Sequence, residues 1–308
     1  MNPHLSSIRE LASVPAPVFL AVGVFDGVHL GHRAVIERAL GDARASGGSA
    51  VVVTFDPHPI RVLRPEHAPR LLTSTSHKLR LIRGLGITHL LVVPFDLAFA
   101  ATPPDEFIRQ LASACALREI CVGHQWSFGK GRAGNLELLS RLGPQLGFDE
   151  VGVPAVEIDG EIVSSTLIRH AVENGDLAKA ARLLGREFTV LGTVIRGEQL
   201  GRKLGFPTAN LAAHNEQFPP DGVYAVDVQR NGTRLRGVAN IGARPTVAAP
   251  DGQRLLEIHL FDFTGEIYGE DLEVSFRRFL RPERKFPSLD SLRAQIARDV
   301  ETARAALA

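Results

Sequence analysis

A doubly wound α/β domain followed by a small antiparallel β-barrel with a closing helix is the architecture this 308-residue sequence predicts. Three observations carry it. The first half alternates short, continuously apolar runs with amphipathic segments, the second half shows short runs of period-two alternation, and the texture changes at Gly185. Continuous hydrophobicity marks strands covered on both faces, as in a parallel sheet; alternation marks strands with one face buried. The length suits two domains, expected at 1–185 and 186–308.

The elements follow in order. The runs "PVFLAVGVF" (17–25), "SAVVVTF" (49–55), "THLLVVPF" (88–95), "REICVG" (118–123) and "DEVGVP" (149–154) read as strands. Between them, helical periodicity begins near Gly31, with Val35, Ala39, Leu40 and Ala43 on one face, and recurs near 76–85, 104–117 and 134–146. Two short helices near 164–173 and 176–184 close the half. Strand–helix alternation of this kind implies a doubly wound sheet. Beyond Gly185, "EFTVLGTVIRG", "GVYAVDVQRNGTRLRGVANIG" and "RLLEIHLFDF" alternate, and Asn231-Gly232 is a strong hairpin signal. A last helix at 288–306 puts Leu289, Leu292, Ile296, Val300 and Ala303 on one face.

Composition removes several classes of function. Acidic and basic residues balance in both halves and the net charge is +1, which leaves no electrostatic footprint for nucleic acid. The apolar run Val18 to Phe25 is too short for a membrane span and lacks a basic flank. The two cysteines, Cys115 and Cys121, have no metal-ligand spacing. A reduced, cytoplasmic protein is expected, with neither membrane nor nucleic acid as partner; a homo-oligomer is compatible with all of this.

"VFDGVHLGH" stands where an α/β sheet collects ligands, at the carboxyl end of its first strand and the start of the next helix. There His29 and His32 can donate to a phosphoryl oxygen as charge builds up in displacement at phosphorus, an imidazolium being the expected form. Gly27 and Gly31 permit close approach. A bare His-x-x-His pair would equally read as coincidence or a metal site; its position on the first strand–helix turn, between glycines, favours the phosphoryl reading. Neither a Walker pattern nor a G-x-G-x-x-G fingerprint is present.

Two other stretches belong with it. "SSTLIR" starts a helix at Ser164 and Ser165, with Thr166 and Arg169 on its opening turns, an arrangement suited to a triphosphate tail. Taken alone it is equally a helix cap with a solvated arginine. "TFDPHP" leaves the second strand through Pro57 and Pro59, which stiffen the exit and aim His58 at the same crevice; a rigid loop with a packed histidine is the bland alternative.

"GEQLGRKLGFPTANL" (197–211) spaces glycines at 197, 201 and 205 but fails the P-loop pattern, because Leu204 follows Lys203 and Pro207 bars the helix. It reads as a glycine-spaced flap leading into an extended segment. Thr208 and Asn210, at i and i+2, point to one side, and two neutral oxygens there suit Mg²⁺ held together with nucleotide phosphates. A hairpin loop rich in turn formers is the alternative. In "RLLEIHLFDF", Leu256, Ile258 and Leu260 form one face and Glu257 and His259 the other, which periodicity alone assigns to solvent.

The string Gly23-Val-Phe-Asp-Gly-Val-His-Leu-Gly-His32, with "TFDPHP", "FGKGRAG" (128–134) and "SSTLIR", resembles the adenylyltransferase half of the bifunctional bacterial riboflavin kinase/FMN adenylyltransferase (FAD synthetase) family. Gly-Phe-Pro-Thr-Ala-Asn (205–210), "GVANIGARPT" (237–246), "E-x-H-L-x-D-F" from Glu257 and "FLRPERKF" (279–286) resemble its riboflavin kinase half. The resemblance implies ATP-dependent phosphorylation of riboflavin to FMN, then adenylylation of FMN to FAD and pyrophosphate. It assigns Glu257 as the base toward the ribityl 5′-hydroxyl, and His29, His32 and Arg169 to the adenylylation. It also implies nucleotide contacts at Gly23, Phe25, Asp26, Gly27, Gly31, Ser164, Ser165, Thr166, Gly197, Gly201 and Gly205. Flavin contacts are implied at His58, Gln125, Trp126 and Arg281, with Mg²⁺ at Thr208 and Asn210.

One departure stands out. The family usually has Asp or Asn followed by Phe where this chain has Gln125 and Trp126, so the adenylylation site is expected to differ there. Two alternatives follow: a riboflavin kinase with a weak or inactive adenylyltransferase domain, or a non-enzymatic flavin-binding regulator.

Overall fold

The structure, a computed structural model, describes residues 4–197, 201, 204–243 and 254–308. Lys203 of the glycine-spaced stretch and residues 244–246 of the "GVANIGARPT" string lie outside them. By spatial proximity the chain forms two compact units, one of Met1–Arg70 with Thr75–Ser165 and the other of Leu71–Ser74 with Thr166–Ala308.

The first unit is built on five parallel strands, β1 (Val18–Val22), β2 (Ser49–Asp56), β3 (His89–Pro94), β4 (Leu117–Gly123) and β5 (Asp149–Val153), in the order β3-β2-β1-β4-β5. Each stretch read as a strand from its apolar run is one. Along β1 the side chains of Val18, Leu20 and Val22 enter one core while Phe19 and Ala21 enter the other, which is why the run is apolar without alternation. Helices α1 (Leu30–Ala45) and α3 (Thr75–Gly84) supply the second core with Val35, Ile36, Ala39, Leu79 and Ile82. Helices α5 (Pro104–Ala114) and α6 (Leu136–Leu146) supply the first with Phe107, Leu111, Leu139 and Leu142. Asn135 caps α6 by accepting the Leu138 N–H at 2.9 Å. The short helices α2 (Pro59–Leu63) and α4 (Leu97–Ala100), and the hairpin β6 (Glu157–Ile158) with β7 (Glu161–Ile162), are too brief to show periodicity, and sequence reasoning missed them.

The second unit is a closed barrel of β8 (Thr189–Ile195), β9 (Ala209–Ala213), β10 (Gly222–Arg230), β11 (Thr233–Ala243), β12 (Arg254–Leu260) and β13 (Asp271–Arg281). Its strands run in the order β10-β11-β12-β9-β8-β13. The Asn231-Gly232 turn joins β10 to β11, with φ of 46° and 83°, as a two-residue hairpin of this hand requires. Helices α7 (Ser165–Glu173) and α8 (Leu177–Leu184), expected at the end of the first half, group almost entirely with the barrel. So does Leu71–Ser74, where Glu216 N–H and Gln217 N–H donate to the Leu71 carbonyl and Asn215 Nδ2 bonds that of Leu72. The change of texture at Gly185 marks where strands begin, which need not be where a packing unit begins.

The closing helix α9 (Leu289–Leu307) starts at a Ser288–Ser291 capping box. Its expected apolar face needs correction. Leu289 is 58% exposed, whereas Gln295 and Asp299 are buried beside Ala303 and Leu307. Asp299 faces inward because Arg281 binds it at 2.7 Å, so a paired charge takes a place that periodicity reserves for an apolar side chain.

Candidate active sites

After β1 the chain turns through Phe25, Gly27 and Val28, with φ of 54°, 86° and 41°, and reaches α1 at His29. His29 is the N-cap: its Nδ1 accepts the His32 N–H at 3.3 Å. An acceptor at Nδ1 carries no proton, so the proton of the neutral imidazole is on Nε2, which becomes the donor. The His32 ring stacks on that of His29 at 3.5 Å, and two imidazolium ions would repel at this separation. The cap occupies Nδ1, so Nε2 is the ring nitrogen of His29 that can serve as a donor. Gly31 lies against the His29 ring, and Ser165 Oγ donates to the Asp26 carbonyl at 2.9 Å. The turn, the histidine pair and Ser164–Ser165 are thereby gathered within the first unit. Asp26 and His29 are buried. Thr166 and Arg169 continue α7 and group with the second unit.

A cavity of about 760 Å³ in the first unit is lined by His58, Gln125 and Trp126. His58 caps α2 through Nδ1 to the Ile60 N–H. Trp126 stacks on Phe128 at 4.3 Å and 14°, and Phe55, Phe95, Phe99 and Phe107 complete an aromatic wall by edge and tilted contacts. Arg64 and Arg132 stand in the same lining. Sequence reasoning missed these phenylalanines, which come from different strands, helices and loops and have no shared period.

In the barrel, a separate cavity of about 560 Å³ is lined by Gly201, Thr208, Asn210, Glu257, His259 and Arg281, among others. Asn210 and Asn240 flank Glu257 in register on β9 and β11. Leu256, Ile258 and Leu260 fill the core as expected, but the opposite face of β12 looks into the cavity and not into bulk solvent. Asn210 is 5% exposed, and its Oδ1 has no hydrogen-bond partner among the described residues. An unmet buried carbonyl costs about 1–3 kcal/mol, so this oxygen suits a cation or its hydration water. A Cβ on Gly197 would run into the Asn210 amide, so glycine is what fits against it. Thr208 lies against Gly201 in the same way. The donor set therefore fits Mg²⁺.

Arg281 falls in this cavity, apart from His58, Gln125 and Trp126. Asp299 holds its guanidinium, and Arg281 and Arg284 both lie over the Phe286 ring, at 5.7 and 5.0 Å. The residues expected at flavin are thus divided between two cavities. Asn240 and Glu283, linked at 3.3 Å, also line the barrel cavity; both lie in strings that carry the family resemblance, and neither was singled out as a site residue.

Among the described residues one other cluster, Asp42, Glu119 and Cys121, brings two carboxylates and a thiol together. Burial pushes the Cys121 thiol and the Glu119 carboxyl up, and the thiol donates to Glu119 at 3.0 Å while Arg38 holds Asp42. A thiol kept protonated this way is a packing group. Among the described residues no helix is long and apolar enough to cross a membrane.

The FAD synthetase family matches residues 12–167 and the riboflavin kinase family residues 184–307. The bifunctional riboflavin kinase/FMN adenylyltransferase of Escherichia coli (strain K12) is 40% identical over 303 residues, covering 97% of this chain and 96% of that protein. That of Bacillus subtilis (strain 168) is 38% identical over 307 residues, covering 97% and 94%. A crystal structure described as a macrolide-efflux protein from Streptococcus pneumoniae superposes with a TM-score of 0.80 at 32% identity, over 94% of this chain and 95% of that one. Two family matches in tandem, and relatives aligned almost end to end, agree with the presence of a cavity in both units: the chain belongs to the bifunctional riboflavin kinase/FMN adenylyltransferase family.

Proposed function

We propose that the barrel cavity phosphorylates riboflavin with MgATP and that the α/β unit adenylylates the resulting FMN with a second ATP. The observation that supports this best is that each unit has its own cavity, of 560 and 760 Å³, joining an apolar or aromatic wall to charge-handling side chains. In the barrel, the Glu257 carboxylate accepts the proton of the ribityl 5′-hydroxyl, whose oxygen attacks the γ-phosphorus of ATP and releases ADP. Thr208 and Asn210 would hold Mg²⁺, which when bound offsets phosphate charge. Gly197, Gly201 and Gly205 give the nucleotide close access to the backbone, and Arg281, fixed by Asp299, supports the flavin end through Phe286.

In the α/β unit, an FMN phosphate oxygen attacks the α-phosphorus of ATP and pyrophosphate leaves. His29 donates from Nε2 to the developing charge, and His32 fixes its ring. The Gly23–Gly31 turn and Ser164–Ser165 receive nucleotide phosphates at helix starts. Thr166 and Arg169 are assigned to the same tail by family resemblance. Trp126, Gln125 and His58 hold the isoalloxazine against the aromatic wall. Gln125 reaches one methylene further than the usual Asn, and the broad Trp126–Phe128 stack is the compensating change. Small molecules are the partners, and the cytoplasm is the proposed compartment.

Incubating the protein with riboflavin, ATP and Mg²⁺ and separating flavins over time tests both reactions. FMN is expected first and FAD later; FMN without FAD supports the weak-adenylyltransferase alternative, and no nucleotide at all rejects the reading.

The functional division is proposed at 185/186. Fragment 1–185 should form FAD from FMN, and 186–308 should phosphorylate riboflavin. The second fragment lacks the Leu71 and Leu72 carbonyls that Glu216, Gln217 and Asn215 use, at about 1 kcal/mol per lost bond, so it should melt below the full chain. Two insoluble fragments would reject the cut.

A further inference from the structure

We infer that Lys78 is a positioning residue for adenylylation: its buried ammonium ties the carboxyl ends of β1 and β2 together and so fixes the turn that delivers His29. Lys78 projects from α3 and is only 5% exposed. Its Nζ donates to the Val24 carbonyl at 3.1 Å and to the Phe55 carbonyl at 3.4 Å. The Thr54 hydroxyl donates to the same Val24 oxygen at 3.0 Å. The neighbouring residues on α3, Leu79 and Ile82, are ordinary core, so packing alone does not call for a lysine here.

The need lies in the turn. Phe25 and Val28 hold left-handed backbone angles that branched and bulky side chains rarely adopt, and such a conformation persists only where its surroundings over-determine it. Three side chains do so: Lys78 and Thr54 grip Val24 before the turn, and Ser165 grips Asp26 within it. His29 then caps α1 with its Nε2 aimed by the geometry upstream. A hydroxyl has a single proton to donate; an ammonium has three, carried on a stem long enough to reach the Val24 and Phe55 carbonyls together.

Lysine also makes the anchor titratable. Burial pulls its pKa down to about 8, opposed by the carboxylates that face it, Asp26 on the turn and Asp56 at the end of β2. Below that pH the anchor is charged; above it the charge is lost, and the grip on both carbonyls weakens.

The inference rests on the adenylylation reading of the His29 site, and the test separates the two. In the full chain, kcat/KM for FAD formation from FMN, which reports the free enzyme, should fall above about pH 8 by up to roughly tenfold per pH unit. Riboflavin phosphorylation by the same preparation is the internal reference and should not follow that fall. Lys78→Arg, which stays charged throughout, should carry the alkaline limb more than one pH unit higher. Lys78→Met should lose about tenfold or more of FAD formation at pH 7 with phosphorylation retained. Matching alkaline limbs for wild type and Lys78→Arg, no alkaline fall in the wild type, or Lys78→Met within twofold of wild type would each overturn the inference. If Lys78→Met does not fold, the two pH profiles decide. Full FAD formation by His29→Ala would instead overturn the site reading beneath it.

Discussion

Glu257→Ala is expected to lower riboflavin phosphorylation by about 10²–10⁴-fold, the usual contribution of a positioned general base, while FAD formation from supplied FMN continues at the wild-type rate. The effect should be chemical, because Glu257 faces the cavity and its neighbours Leu256 and Ile258 hold β12 in the core. Glu257→Gln keeps shape and hydrogen bonding but cannot take a proton, and it should fail nearly as badly. Flavin separation after incubation with riboflavin, or with FMN, reads both activities from one preparation. Loss of both in a folded Glu257→Ala protein would show that the division between the two cavities is wrong.

His29→Ala should produce the mirror image. FAD formation should drop by about 10²–10³-fold, as when one donor to a developing oxyanion is removed, with phosphorylation of riboflavin unchanged. This variant also loses the cap of α1, at about 1 kcal/mol, so a lower melting temperature is expected alongside. His29→Asn distinguishes the two losses. Asparagine is a strong N-cap and should restore the melting temperature, but it does not place a donor where imidazole Nε2 stands, so FAD formation should stay low. Recovery of activity with the cap would make His29 a structural residue only.

The continuous apolar runs were enough to place the strands of the parallel sheet, because its central strands are covered on both faces and must be largely apolar. The Asn231-Gly232 hairpin was equally legible, since a two-residue turn of that hand needs two positive φ angles and few residue pairs supply them. The histidine pair was legible for a related reason: a strand end followed by glycines and a helix start is a local arrangement. The barrel was readable as alternation, but alternation reports only that one face is buried. It assigned Glu257 to solvent, where the closed barrel turns that face onto a cavity.

What lay beyond the sequence has one physical origin: contacts between residues far apart in the chain leave no period. The aromatic wall around Trp126 draws on Phe55, Phe95, Phe99, Phe107 and Phe128 from separate elements. Asp299 is buried on α9 because Arg281, at the end of β13, neutralises it. Leu71–Ser74 joins the barrel by bonding the segment around Asn215, although every residue near it in sequence belongs to the other unit. Lys78 reads as an ordinary charged position on an amphipathic helix, and only the sheet beneath supplies the two carbonyls that hold it. The sequence by itself determined the order and type of the main elements and the chemistry each turn could offer. The tertiary structure decided which faces meet, and therefore which buried polar groups find partners and which, like Asn210 Oδ1, have none among the described residues.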